Sequence, residues 1–127
     1  MFQKLEITRM AQDLAAHAGA RMGVIAQNVA NADTPGYRAR DIADFAEVYA
    51  DRAMDMAATR PGHLTTAPAL AGYQAQVVVE AGAPNGNSVS LELEMTKSAE
   101  VRQEHEMALA IYRSTSEVIR AALGRGR

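Results

Sequence analysis

A mainly α-helical chain is what this sequence predicts, with long N- and C-terminal helices packing as a coiled-coil-like pair and an irregular middle segment with room for a short β-hairpin. Three observations carry that expectation. Apolar residues recur every three or four positions from Ile7 to Val29. The same spacing returns between Val101 and Ala122. Between the two stripes lies a stretch rich in Ala, Thr, Pro and Gly that sustains no period.

The first stripe runs Ile7, Met10, Leu14, Ala18, Met22, Ile25 and Val29. Such steps place these side chains on one face of a long helix. They average slightly more than 3.6 residues, so the helix is expected to be nearly straight. Lys4, Arg9, Asp13 and Arg21 fall off the stripe and read as solvated positions. Pro35 disfavours helical geometry at the residue before it, and Thr34-Pro35-Gly36-Tyr37 suits a type II turn with Gly36 at positive φ. Asn28 and Asn31, one helical turn apart, can satisfy backbone groups freed where the helix ends.

Residues 41–56 carry Ile42, Phe45, Val48 and Tyr49 at helical spacing, which predicts a short amphipathic helix. Residues 57–87 read as loop, with Val77-Val78-Val79 as a β-branched island and Asn85-Gly86 as the turn of an edge hairpin. Val89, Leu91, Leu93 and Met95 alternate with polar residues as a strand would. Glu, Met, Lys and Ala nevertheless continue without a breaker to Gly124, so a helix is expected from Leu91. Its seam is Val101, His105, Ala108, Tyr112, Thr115, Ile119 and Ala122, in alternating steps of four and three. Met107, Ile111 and Val118 widen it. Acids crowd its first half and Arg113, Arg120, Arg125 and Arg127 come later, as the helix dipole favours, and Gly124 suits a cap.

Composition narrows the function classes. At 127 residues the chain fits one domain, divided into an N-terminal helix at 1–33, a turn, short helix and variable loop at 34–90, and a C-terminal helix at 91–124. Hydrophobic residues make up 48%, but 26 of them are Ala and Trp is absent, so area burial gains little per residue. Helices of this kind suit close packing against one another and against neighbouring copies. A net charge of −2 lacks the basic footprint of a nucleic-acid binder. With no Cys, disulfides, thiolate metal sites and Cys nucleophiles are excluded. His17, His63 and His105 are scattered, and no nucleophile elbow or acid/base pair stands at diagnostic spacing. The expectation is a non-enzyme with no metal, cofactor or small-molecule substrate. Met1-Phe2-Gln3-Lys4-Leu5-Glu6 has no charged-then-apolar signal pattern, and no apolar run reaches the length of a membrane span.

The run Asn28-Val29-Ala30-Asn31-Ala32-Asp33-Thr34-Pro35-Gly36-Tyr37-Arg38-Ala39-Arg40, followed by Asp44-Phe45, resembles the N-terminal signature of the flagellar axial proteins, the rod and hook family. Gly86-Asn87-Ser88-Val89-Ser90-Leu91-Glu92 with Glu94-Met95 is similar to the C-terminal entry of its proximal rod members. The likeness covers roughly the first 45 and the last 40 residues. It implies a structural subunit of the bacterial flagellar basal body, in the periplasmic rod that transmits motor torque, required for motility and exported by the flagellar type III apparatus without a cleaved signal. Implied partners are other copies of the chain, neighbouring proximal rod proteins, and the MS-ring protein and rod-base adaptor at the base.

An assembly interface is expected on Ile7, Met10, Leu14, Met22, Ile25 and Val29, on Asn28, Asn31, Thr34, Pro35, Gly36, Tyr37, Arg38 and Arg40, and on Val101, Ala108, Ile111, Tyr112, Val118 and Ile119. Tyr37 offers a flat ring with a polar tip, and Arg38 and Arg40 can reach carboxylates on a neighbour. Ile25→Asp is expected to abolish assembly. Without the resemblance, the residues also fit a small cytoplasmic helical adaptor that binds a protein groove. A helix lying on a membrane ranks below both, because its polar face is mixed in sign.

Overall fold

The computed structural model describes residues 2–53, 73–79 and 82–124. Its elements in chain order are helix α1 (Phe2–Ala30), strand β1 (Arg40–Asp41), helix α2 (Phe45–Ala53), strand β2 (Gln76–Val77) and helix α3 (Leu91–Gly124). The long helices lie antiparallel. Asn28, near the end of α1, bonds Glu94, near the start of α3. Met22 meets Ser98, Ala18 shares a groove with Val101, and Ala11 shares one with Ala108.

Besides Asn28, the residues buried along this contact include Ala11, Ala18 and Ile25 on α1 and Glu94, Val101 and Ala108 on α3. Each set repeats every seven residues, the period of a coiled-coil seam. The expected pair of terminal helices is therefore present. A stripe with steps above 3.6 residues stays in line on a straight helix, whereas the contact line between paired helices recurs every 3.5 residues. The ends of the α1 stripe thus swing off the seam, leaving Ile7 at 42%, Met10 at 37% and Val29 at 43% exposure.

Helix α1 stops at Ala30, short of the expected residue 33. Its last turn tightens through hydrogen bonds from Asn31 N to the carbonyls of Gln27 and Asn28 and from Ala32 N to Val29 O. The turn at Thr34–Tyr37 then closes from Tyr37 N to Thr34 O at 3.2 Å, with Gly36 at φ 74°. That is the left-handed conformation which glycine adopts without steric cost.

Ile42 does not join α2, because Arg40 and Asp41 pair antiparallel with Val77 and Gln76. Helix α2 begins at Phe45, and residues 54–56 of its expected length lie outside the described residues, as does most of the expected loop. The expected turn at Asn85-Gly86 forms, with Gly86 at φ 79° donating to Ala83 O at 2.8 Å. It does not join two paired strands. The two-stranded sheet instead joins β2 to the segment after the Thr34–Tyr37 turn. Helix α3 starts at Leu91, where Ser90 Oγ accepts from Leu93 N at 3.5 Å in the N-cap manner.

Candidate functional site

The two segments that carry the family signature are built against each other. Gly36 N donates to Asn85 O at 3.1 Å, and Ser88 N donates to Tyr37 O at 3.0 Å. Ser88 Oγ accepts from Ala39 N at 2.8 Å. Asn87, 3% exposed, turns its amide nitrogen onto the carbonyls of Asn31, Ala32 and Thr34 at 2.9, 2.8 and 2.8 Å. Two N–H bonds thus serve three acceptors, the carbonyls of the turn that follows α1. The other side of the same amide accepts from Val89 N at 2.7 Å, so one residue holds the turn after α1 and shapes the approach to α3.

Asn28 has a different task from the expected one. It does not cap its own helix; Asn31 does, donating to Gln27 O at 2.8 Å. Fully buried, Asn28 donates to Arg40 O at 2.7 Å and to Glu94 Oε2 at 3.0 Å. Its amide oxygen accepts from Arg40 N at 3.1 Å and from Tyr37 Oη at 3.4 Å. Both donors and both lone pairs of the side chain are used. Asn28 therefore holds the returning chain as a neighbouring strand would, while reaching across to α3.

A charged cluster extends this hub. Arg21 grips Asp41 with two bonds, Nε to Oδ1 at 2.9 Å and Nη2 to Oδ2 at 3.2 Å, and reaches Asp44 at 3.2 Å. Lys97 lies 3.5 Å from Asp41 and 3.3 Å from Glu94. Burial pushes the Asp41 carboxyl up, but the Arg21 guanidinium, the Ile42 N–H and the charges of Arg21 and Lys97 outweigh it and hold the group below its ordinary value. The hydrogen bond to Asp41 outweighs burial at Arg21 and raises its value. Arg21 is thus a half-buried partner within the fold, with a side chain only 13% exposed, and not the solvated position its place off the stripe suggests. Beside it His17, fully buried, meets the rings of Phe45 and Tyr73 edge-on. Its Nε2 faces Ala43 O at 2.8 Å and must carry the proton.

Exposed among the expected interface residues are Ile7, Met10, Val29, Thr34, Pro35, Gly36, Arg38, Arg40, Tyr112 and Val118. Leu14, Met22, Asn31, Tyr37, Ile111 and Ile119 are half-buried. Ile25, Asn28, Val101 and Ala108 are buried within the chain's own helix pair, so Ile25→Asp tests folding before it tests assembly. Reading the sequence missed Arg21, Asp41, Asn87, Ser88, Glu94 and Lys97 as a connected set. The available signal was Glu94, seven residues before Val101 and fourteen before Ala108, where a seam calls for an apolar residue.

Residues 15–38, which include Arg21, Asn28 and the Thr34–Tyr37 turn, match a family described as Flagella basal body rod protein. The chain is 32% identical over 118 residues to Flagellar basal body rod protein FlgB of Agrobacterium fabrum (strain C58), covering 88% of each. The chain belongs to the flagellar basal body rod protein family. FlgB of Escherichia coli (strain K12) is 32% identical over 123 residues, spanning 87% of this chain and 88% of that protein. FlgB of Proteus mirabilis (strain HI4320) is 26% identical over 140 residues, spanning 99% and 100%. The rod family is a structural one and not an enzyme family, and membership gives this chain a structural role in the flagellar basal body rod. Among the described residues, no helix is long and apolar enough to cross a membrane, and no group of three His, Asp or Glu side chains could hold a metal ion.

Proposed function

We propose that residues 1–127 act as one subunit of the proximal rod, polymerising through the terminal helices into the periplasmic shaft that transmits motor torque. The observation that carries this reading is apolar surface left over after the helices have paired. Ile7, Met10 and Val29 on α1, and Leu91, Leu93, Met95, Met107, Tyr112, Val118 and Leu123 on α3, are all exposed. Apolar surface of that extent on two long helices favours burial against further helices. Its partners in this reading are other copies of the chain, neighbouring proximal rod proteins, the MS-ring protein and the rod-base adaptor. Export would use the flagellar type III apparatus, without a cleaved signal. Exposed Arg38 and Arg40 stand ready for carboxylates on a neighbour.

Val29→Asp and Val118→Asp together separate assembly from folding. Neither residue lies in the buried seam, so the doubly substituted chain is expected to keep its helicity while cells lose swimming and purified basal bodies lose the subunit. Normal swimming with the variant incorporated into the rod would overturn the reading.

A further inference from the structure

Glu94 sits where the seam of α3 otherwise holds Val101 and Ala108, and it is fully buried. One carboxylate oxygen takes the Asn28 amide at 3.0 Å and the other faces Lys97 at 3.3 Å. A buried ion of this kind is poor evidence of stability, because desolvation offsets much of its attraction. Its best-attested use in helix pairs is to specify register.

The apolar positions of the seam discriminate little between registers. Sliding α3 by seven residues one way brings Ile25 level with Val101 and Ala18 level with Ala108. Sliding it the other way brings Ala11 level with Val101. Both shifts set small or branched apolar side chains against each other, which an alanine-rich interface tolerates. Either one carries Glu94 about 10 Å from Asn28. Either shift costs the carboxylate the Asn28 amide that hydrogen-bonds it, and one of the two buries it at the level of Ala18. We propose that Glu94, read by Asn28, is the register-specifying residue of the α1–α3 pair. It selects one alignment among heptad-shifted pairings that apolar packing alone leaves close in energy. Asn28 reports that alignment onward, because the same amide holds the backbone of Arg40 on both sides. The position of the turn and of β1 then depends on the register chosen at Glu94.

The absence of native cysteine makes disulfide trapping a clean readout on the purified full-length chain. Three reporter pairs share small buried sites: Ala11→Cys with Ala108→Cys for the observed register, and Ala11→Cys with Val101→Cys or Ala18→Cys with Ala108→Cys for the two shifts. In the parent background only the first pair is expected to cross-link. With Glu94→Leu, helicity is expected to persist and the yield of at least one shifted cross-link to rise about tenfold, the effect of losing one hydrogen bond to a charged group. Glu94→Gln, whose amide oxygen still accepts from Asn28, is expected to behave as the parent.

Exclusive formation of the first cross-link in Glu94→Leu would overturn the proposal. So would shifted cross-links in the parent, or loss of helicity in Glu94→Leu, which would make Glu94 a residue of stability. Shifted cross-links released by Asn87→Ala but not by Glu94→Leu would assign the register to the end of α1 instead.

Discussion

The two ends of the helix pair are joined by opposite chemistries. Around Ala11 and Ala108 the buried side chains of the contact are small and apolar. Around Ile25 and Glu94 the same seam is crossed by Asn28, Lys97, Asp41 and Arg21 in one polar hub. Three of the four largest fully buried side chains described, His17, Glu94 and Asn28, are polar, and only Val101 is apolar. The alanine end supplies proximity with little transfer energy and little discrimination. The polar end supplies geometry, since each hydrogen bond is satisfied in one arrangement only. A long helix pair thus keeps one end adaptable and one end defined, and the defined end is where the Thr34–Tyr37 turn docks.

The largest break in that contrast should come from Ile25→Asp, which places a second carboxylate in the seam beside Glu94 with no partner. An uncompensated buried charge costs about 4 kcal/mol, so thermal unfolding followed by circular dichroism should show the helix pair lost or deeply destabilised. A melting curve close to that of the parent would mean that the polar end tolerates charge generally. Asn87→Ala should act on one end alone. Losing its bonds to the three carbonyls of the turn after α1 should cost about 1 to 2 kcal/mol, with amide exchange quickening at residues 31–37 while the backbone around Ala11 and Ala108 stays protected.

Acid sharpens the comparison without a change in packing. Because the folded Asp41 carboxyl titrates below its unfolded value, its contribution is present above the unfolded value and lost as pH falls through the folded one. Stability of the native chain should therefore decline across that acidic window. Asp41→Asn should flatten this part of the pH profile, which denaturant titrations at a series of pH values would reveal. Smallest of all should be Arg38→Ala and Arg40→Ala, whose side chains are exposed. Asn28 holds the backbone of Arg40 and not its guanidinium, so stability should stay within about 0.5 kcal/mol of the parent. A larger loss would show that these arginines serve the fold.

Both long helices are legible in the sequence because their signals are local. The stripes around Leu14 and Val101 mark both long helices. Pro35 and Gly36 mark the turn, and the unbroken run after Ser90 marks a helix despite its strand-like alternation. The stripe overshot at Ile7, Met10 and Val29 because helical spacing does not say how a partner's contact line drifts across the face. Val77 was legible as part of an extended segment, but its pairing with Arg40 was not, since neither segment names its partner.

What the sequence determined by itself, then, was the pair of terminal helices, the rigid turn and the absence of cysteine chemistry, because each depends on residues within a few positions of one another. Only the tertiary structure decided that Asn28 would bind Arg40 and Glu94, that Asn87 would hold the turn after α1, and that Arg21 would pair with Asp41. Those bonds join residues 12 to 66 positions apart. A polar side chain satisfied at such distance looks in sequence like any solvated one, and only the burial around it makes its hydrogen bonds obligatory.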